Sequence, residues 1–146
     1  MIQRIQSIWL LLASLVAAGV FYTDVYRAQI VKEAGVLTEH LRVAAHFPSL
    51  LVAVLMALLP LVAIFMFKNR KKQRSMVWGS VLVTVGFIAL NLMRISNFNN
   101  NTALQVTSGT YYIGSVLPVV MLFFLILAIR GINKDEKLVR SLDRLR

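Results

Sequence analysis

The chain reads as an all-α integral membrane protein, a bundle of four transmembrane helices with both termini on the cytoplasmic side. Three observations predict it. Four uncharged apolar stretches each approach the roughly 20 helical residues that cross a hydrocarbon core about 30 Å thick. Lysine and arginine alternate between rich and poor connectors along the chain. The composition of the 146 residues, 58% hydrophobic against 15% charged with a mean hydropathy of +0.73, leaves too little polar surface to cover a globule in water.

The first span covers residues 5–23, apolar from Ile8 onward and preceded by Arg4. Arg4, a short apolar run and the small residues Val16-Ala17-Ala18 also fit a secretory signal with its cleavage site, which would leave three helices. Against cleavage, the uncharged run continues through Gly19-Val20-Phe21-Tyr22 to spanning length. Ala13 and Ala17, like Ser14 and Ala18, recur at four-residue spacing, the pattern that lets helix backbones approach closely where lipid offers no hydrophobic drive.

The connector that follows, residues 24–46, has Val25, Ile30, Val31, Val36, Leu41 and Val43 around a turn at Gly35. A short extracytoplasmic β-hairpin fits there, and a helical period over residues 37–45 fits about as well. The second span, 47–67, carries Pro60, which removes a helix hydrogen bond and predicts a kink. A basic cytoplasmic loop, 68–74, holds Lys68, Arg70, Lys71, Lys72 and Arg74.

The third span, 75–93, places Gly79, Ser80 and Gly86 where a neighbouring helix is expected to pack, with Gly79 and Gly86 seven residues apart. Asn91 and Arg94 end it; Arg94 suits a snorkelling interfacial anchor, or an ion pair with Asp24, Glu33 or Glu39. Beyond it, residues 102–107 alternate weakly before Ser108-Gly109, and Asn100-Asn101-Thr102 matches a glycosylation sequon of the kind chance supplies in an asparagine-rich turn. The fourth span, 111–129, contains Pro118 and stops at Arg130.

Orientation follows from counting. The N-terminus, the 68–74 loop and the 130–146 tail hold twelve of the sixteen Lys and Arg residues; the other two connectors hold four. Basic residues stay on the cytoplasmic side, so both ends are expected there. All four tyrosines fall near the outer boundary and Trp9 and Trp78 near the inner one, as amphipathic rings do at membrane interfaces.

Several chemistries are disfavoured by the same residues. There is no cysteine, which excludes disulfides, thiolate metal sites and thiol catalysis. The net charge of +10 caps helices rather than forming the continuous face a nucleic acid needs, so no nucleic-acid partner is expected. His40 and His46, six apart, do not share a helical face, and no metal or cofactor is expected. No nucleophile elbow, zinc-protease helix or phosphate loop is present, so the chain is read as no enzyme. No Asp, Glu, Lys or His lies mid-span, where proton relays and coupled transport need one.

The tail carries the most distinctive pattern. Asn133 can cap a short amphipathic helix with Asp135 and Glu136 in its first turn, and Leu138, Val139, Leu142 and Leu145 along one face. Such a helix can lie in the cytoplasmic interface, with Glu136 and Arg140 paired, or dock a protein. The residues expected to meet a partner or anionic lipid headgroups are the five of the basic loop together with Lys134, Asp135, Glu136, Lys137, Arg140, Asp143 and Arg144.

This tail, Lys134-Asp-Glu-Lys-Leu-Val-Arg140 with Ser141 and Asp143-Arg-Leu-Arg146, and the opening Ile-Gln-Arg-Ile-Gln resemble the DUF4293 family of small Bacteroidetes inner-membrane proteins. The resemblance spans the chain. It implies a four-helix protein of unknown function in a bacterial inner membrane and adds no catalytic residue. Sequence therefore predicts a non-catalytic membrane subunit that binds a partner through its tail and basic loop, with a transporter or channel component as the alternative.

Overall fold

The computed structural model describes residues 2–32, 35–101 and 105–143. Along the chain run α1 (Ile2–Gly19), β1 (Asp24–Lys32), β2 (Gly35–Arg42), α2 (Phe47–Phe65), α3 (Arg70–Asn99), β3 (Gln105–Tyr111) and α4 (Ile113–Asp143). Three helices, α2, α3 and α4 over Ile113–Leu138, are long and apolar enough to cross a membrane; α1 adds a shorter apolar helix, Ile5–Gly19.

Each helix packs on two others, α1 between α4 and α2, and α3 between α2 and α4. Side-chain bridges show the neighbours to be antiparallel. Gln6 near the start of α1 reaches Gly131 late in α4, while Gly19 at the far end of α1 lies against Leu117 early in α4. Gln73 at the start of α3 donates to the carbonyl of Ala63 at the end of α2, and Arg74 meets Glu136. The basic 68–74 segment, the start of α1 and residues 130–138 of α4 thus gather at one end, and the strands at the other.

The contact faces are made of small and medium side chains. Leu10, Ala13 and Ala17 of α1 and Val20 just beyond it are fully buried, in one core cluster with Met121, Leu125, Ala128 and Ile132 of α4 and Ala53 and Met56 of α2. Without water to expel, these surfaces are held by close packing, by the stacked rings of Trp9 and Phe124 with centroids 5.9 Å apart, and by side-chain bonds across helices such as Ser14 to the Ala57 carbonyl, 3.0 Å.

The expectation of an all-α bundle of four transmembrane helices is overturned: three helices, not four, are long and apolar enough to cross a membrane, and a three-stranded antiparallel sheet, order β2-β1-β3, caps the end opposite the basic residues. More than a hairpin, it joins the first connector to the third, since β3 pairs with β1 with Tyr26 opposite Tyr111 and Ala28 opposite Gly109. The helical reading of residues 37–45 also fails, because β2 covers Gly35–Arg42. Period-two burial does exist in β1, where Tyr26, Ala28 and Ile30 are buried and Gln29 and Val31 exposed. Its signal is weak in sequence because Ala28 is small and Tyr26 reads as an interfacial ring, and because β2 is exposed except at Leu41.

Three further corrections concern the helices. Arg130 does not stop α4, which continues unbroken to Asp143, so the described part of the tail belongs to α4 rather than to a separate helix, and Asn133 sits inside α4 instead of capping one. The basic loop is mostly helix: Asn69 accepts from the Lys72 N–H at 3.2 Å and caps α3, which begins at Arg70 and extends to Asn99. Gly79 and Gly86 face open space, as a Cβ on either would meet no atom within 4 Å. The buried stripe of α3 is instead Gln73, Val77, Ser80, Thr84, Phe87, Asn91 and Ile95. The α2 and α4 helices run through the buried Pro60 and Pro118.

Candidate functional site

At the basic end, α3 starts with Arg70, Lys71 and Lys72 in its first turn and no acidic residue there. Cations at the positive end of a helix dipole are unfavourable. The compensation comes from α4: Arg70 donates to the Asp135 carboxylate at 3.1 Å and, through Nη1, to the Asp135 main-chain carbonyl at 3.1 Å. Arg74 donates to Glu136 at 2.8 Å and to the Asn133 side-chain carbonyl at 3.3 Å.

Four residues expected to meet a partner, Arg70, Arg74, Asp135 and Glu136, are therefore brought together and pair with one another. Their packing-side positions explain it, with the two carboxylate side chains only 12% and 14% exposed. Lys68, Lys71, Lys72, Arg130, Lys134 and Lys137 are exposed and of one sign. The side chains of Arg140, Asp143 and Arg144, with the leucine face beyond Leu138, lie outside the described residues, as does the expected Glu136–Arg140 pair.

Inside this ring of charge is a cleft of about 500 Å³ where all four helices meet. Gln6, Ser7, Gln73, Arg70 and Asp135 supply its polar lining, and Ile8, Ile64, Phe65 and Phe67 its apolar wall. Both glutamines are buried, and each spends its amide NH2 on a main-chain carbonyl, Gln6 on Gly131 at 2.9 Å and Gln73 on Ala63 at 3.0 Å. Gly131 is needed there, since a Cβ would stand 2.9 Å from Cγ of Gln6.

The sheet end is organised around one buried carboxylate. Asp24 opens β1 and receives Arg27 Nε at 2.7 Å, His40 Nδ1 at 2.8 Å and Arg42 Nε at 2.8 Å, while its side chain is 3% exposed. Burial opposes its ionisation, but the hydrogen bonds from His40, Arg42 and Arg27 prevail and hold the carboxyl well below the usual range. Arg27 also stacks on Tyr112, 3.7 Å from the ring centroid. Arg94 donates to the Arg42 carbonyl at 2.9 Å, tying α3 to this cluster through a main-chain group rather than through an acidic side chain. Tyr26 bonds Asn99 of α3 and fits over Gly109, where any Cβ would collide with its ring.

His46 is occupied elsewhere, its Nδ1 accepting from the Ser49 N–H at the start of α2. Among the described residues, no three metal-ligating side chains converge. Sequence reasoning missed Gln6 and Gln73 as site-forming residues, and named Asp24 only as one of three acidic candidates for Arg94, whereas its partners are Arg27, His40 and Arg42. A polar amide beside an apolar run was the available signal for the two glutamines.

Residues 2–145, essentially the whole chain, match the family model described as Domain of unknown function (DUF4293). The chain belongs to this family. No curated protein and no solved structure matches it. Membership brings no reaction and no ligand, so the chemistry of the two ends rests on their geometry.

Proposed function

We propose that the chain is a non-catalytic subunit of a bacterial inner membrane whose basic end lies in the cytoplasm and docks an acidic partner protein. The observation that carries this reading is the pair of bridges Arg70–Asp135 and Arg74–Glu136. They fix the extension of α4 against the start of α3 and leave Lys68, Lys71, Lys72, Arg130, Lys134 and Lys137 exposed on a preorganised end. A platform of one sign, already ordered, favours a partner of the opposite sign and speeds its encounter.

The alternative, a transporter or channel component, would need a hydrated path past Ser80, Thr84 and Asn91. These side chains are buried and donate to carbonyls four residues back on their own helix, the arrangement of packed helix contacts.

The test is a mild-detergent pull-down from cells in which Lys68, Lys71, Lys72, Lys134 and Lys137 are changed to Gln. A specific protein should be lost while insertion and melting temperature stay as in the native chain. An unchanged set of co-purifying proteins would sink the docking reading. Topology is tested separately: a cysteine replacing Thr38 should react with an impermeant thiol reagent in intact spheroplasts, and one replacing Lys71 should not.

A further inference from the structure

We propose that the cleft at the basic end binds the headgroup of one phosphatidylethanolamine molecule, taken from the leaflet that surrounds it. The first observation is the pair of buried amides. A main-chain carbonyl can only accept, so the bonds from Gln6 to Gly131 and from Gln73 to Ala63 fix which end of each amide is NH2. Each Oε1 is left as an acceptor. Among the described residues no buried side-chain oxygen or nitrogen lacks a partner, so these two oxygens are not fully enclosed, and both residues line the cleft.

The second observation is the charge order of the rim. Arg70 uses an Nη1–H on the Asp135 carbonyl and an Nη2–H on the carboxylate, which leaves three of the five guanidinium N–H groups for another acceptor. A ligand seated here thus meets donors at Arg70, acceptors at Gln6, Gln73 and Asp135, and the hydroxyl of Ser7, which can serve as either. That pattern matches a phosphate joined to an ammonium that still carries N–H bonds. A trimethylammonium has the same charge but nothing to donate, and a glycerol headgroup can donate but has no positive charge for Asp135.

The third observation is the wall. Ile8 and Phe65, more than half exposed, stand with Ile64 and Phe67 beside the polar lining, at the boundary between apolar spans and basic caps. An acyl chain can lie along them while the headgroup enters. The volume of about 500 Å³ admits a headgroup and the first methylenes rather than a whole lipid. The site requires only that the basic end lie in a headgroup layer, so it stands or falls independently of any protein docked there.

The purified full-length chain, sprayed from mild detergent into a native mass spectrometer with equimolar phosphatidylethanolamine, phosphatidylcholine and phosphatidylglycerol of identical acyl chains, provides the test. A single phosphatidylethanolamine adduct should be retained about fivefold over either competitor. Ile8→Trp, which plugs the cleft from its exposed wall, should abolish that preference with melting temperature unchanged; Gln73→Met should also abolish it by removing an acceptor, with a lowered melting temperature because the bond to the Ala63 carbonyl is lost as well. Equal retention of the ethanolamine and choline lipids by the native chain would overturn the proposal even if neither variant folds. So would preference for the glycerol lipid, a preference that survives Ile8→Trp, or displacement of the lipid by equimolar soluble phosphoethanolamine, which lacks the acyl chain.

Discussion

The two ends of the bundle handle charge in opposite ways. At the sheet end a single carboxylate, Asp24, is enclosed by three cationic or ionisable side chains drawn from β1 and β2. At the basic end two separate pairs, Arg70–Asp135 and Arg74–Glu136, run between helices and leave a cleft open beside them. The first arrangement is convergent, so losing its centre takes the carboxylate from every partner at once. The second is distributed, so losing one pair leaves the other in place. One end is built to hold shape and the other to keep accessible surface, which is why the functional proposals fall on the basic end.

Breaking this comparison starts with Asp24. Asp24→Ala strips Arg27 and Arg42 of their shared partner, and removal of the buried member of such a set should cost about 3 kcal/mol, below the cost of a fully dry pair because the arginines reach water. Thermal unfolding in detergent would measure it; a loss no larger than that of Arg74→Ala would erase the distinction between the ends. The same group sets an acid limit. Its folded pKa lies below the unfolded value of 3.8, so its contribution is fully present above about pH 4 and is lost as pH falls further. Asp24→Ala should therefore flatten the decline in melting temperature on the acid side.

Next in size is Gly114→Ala, expected to cost roughly 2 kcal/mol, because the added Cβ would stand 2.6 Å from the Asp24 carbonyl oxygen and main chain cannot swing aside as a side chain can. Gly86→Ala, with open space around it, should change stability by less than about 1 kcal/mol and in the favourable direction through helix propensity. Equal damage at both positions would put Gly86 in a contact after all. Arg70→Ala comes in at about 1 kcal/mol, since its pair is only partly shielded, and Arg74→Ala at about the same.

These contrasts also mark how far residue order reaches. Gly79 and Gly86 look like packing glycines from their spacing, yet the glycines that admit a neighbour are Gly109, Gly114 and Gly131. Spacing along a helix says which residues share a face and says nothing about which face meets protein, because in lipid both faces are apolar. The cleft was half visible: the basic loop and tail were identified, but the pairing of Arg70 with Asp135, 65 residues apart, is a property of how α3 and α4 lie together.

Residue order alone determined the apolar runs that became α2, α3 and α4 and the gathering of cations into the segments that share one end, because hydrophobic length and charge are local and additive. The assembly of the sheet was decided only in three dimensions. β1 pairs with β3 across some 80 residues, where Tyr26 enters the space over Gly109, and with β2, where Asp24 collects His40 and Arg42 together with Arg27 of its own strand. Strands of seven to nine residues carry little signal of their own. Their stability comes from which surfaces the helices bring together, and that is settled by packing rather than by any window of sequence.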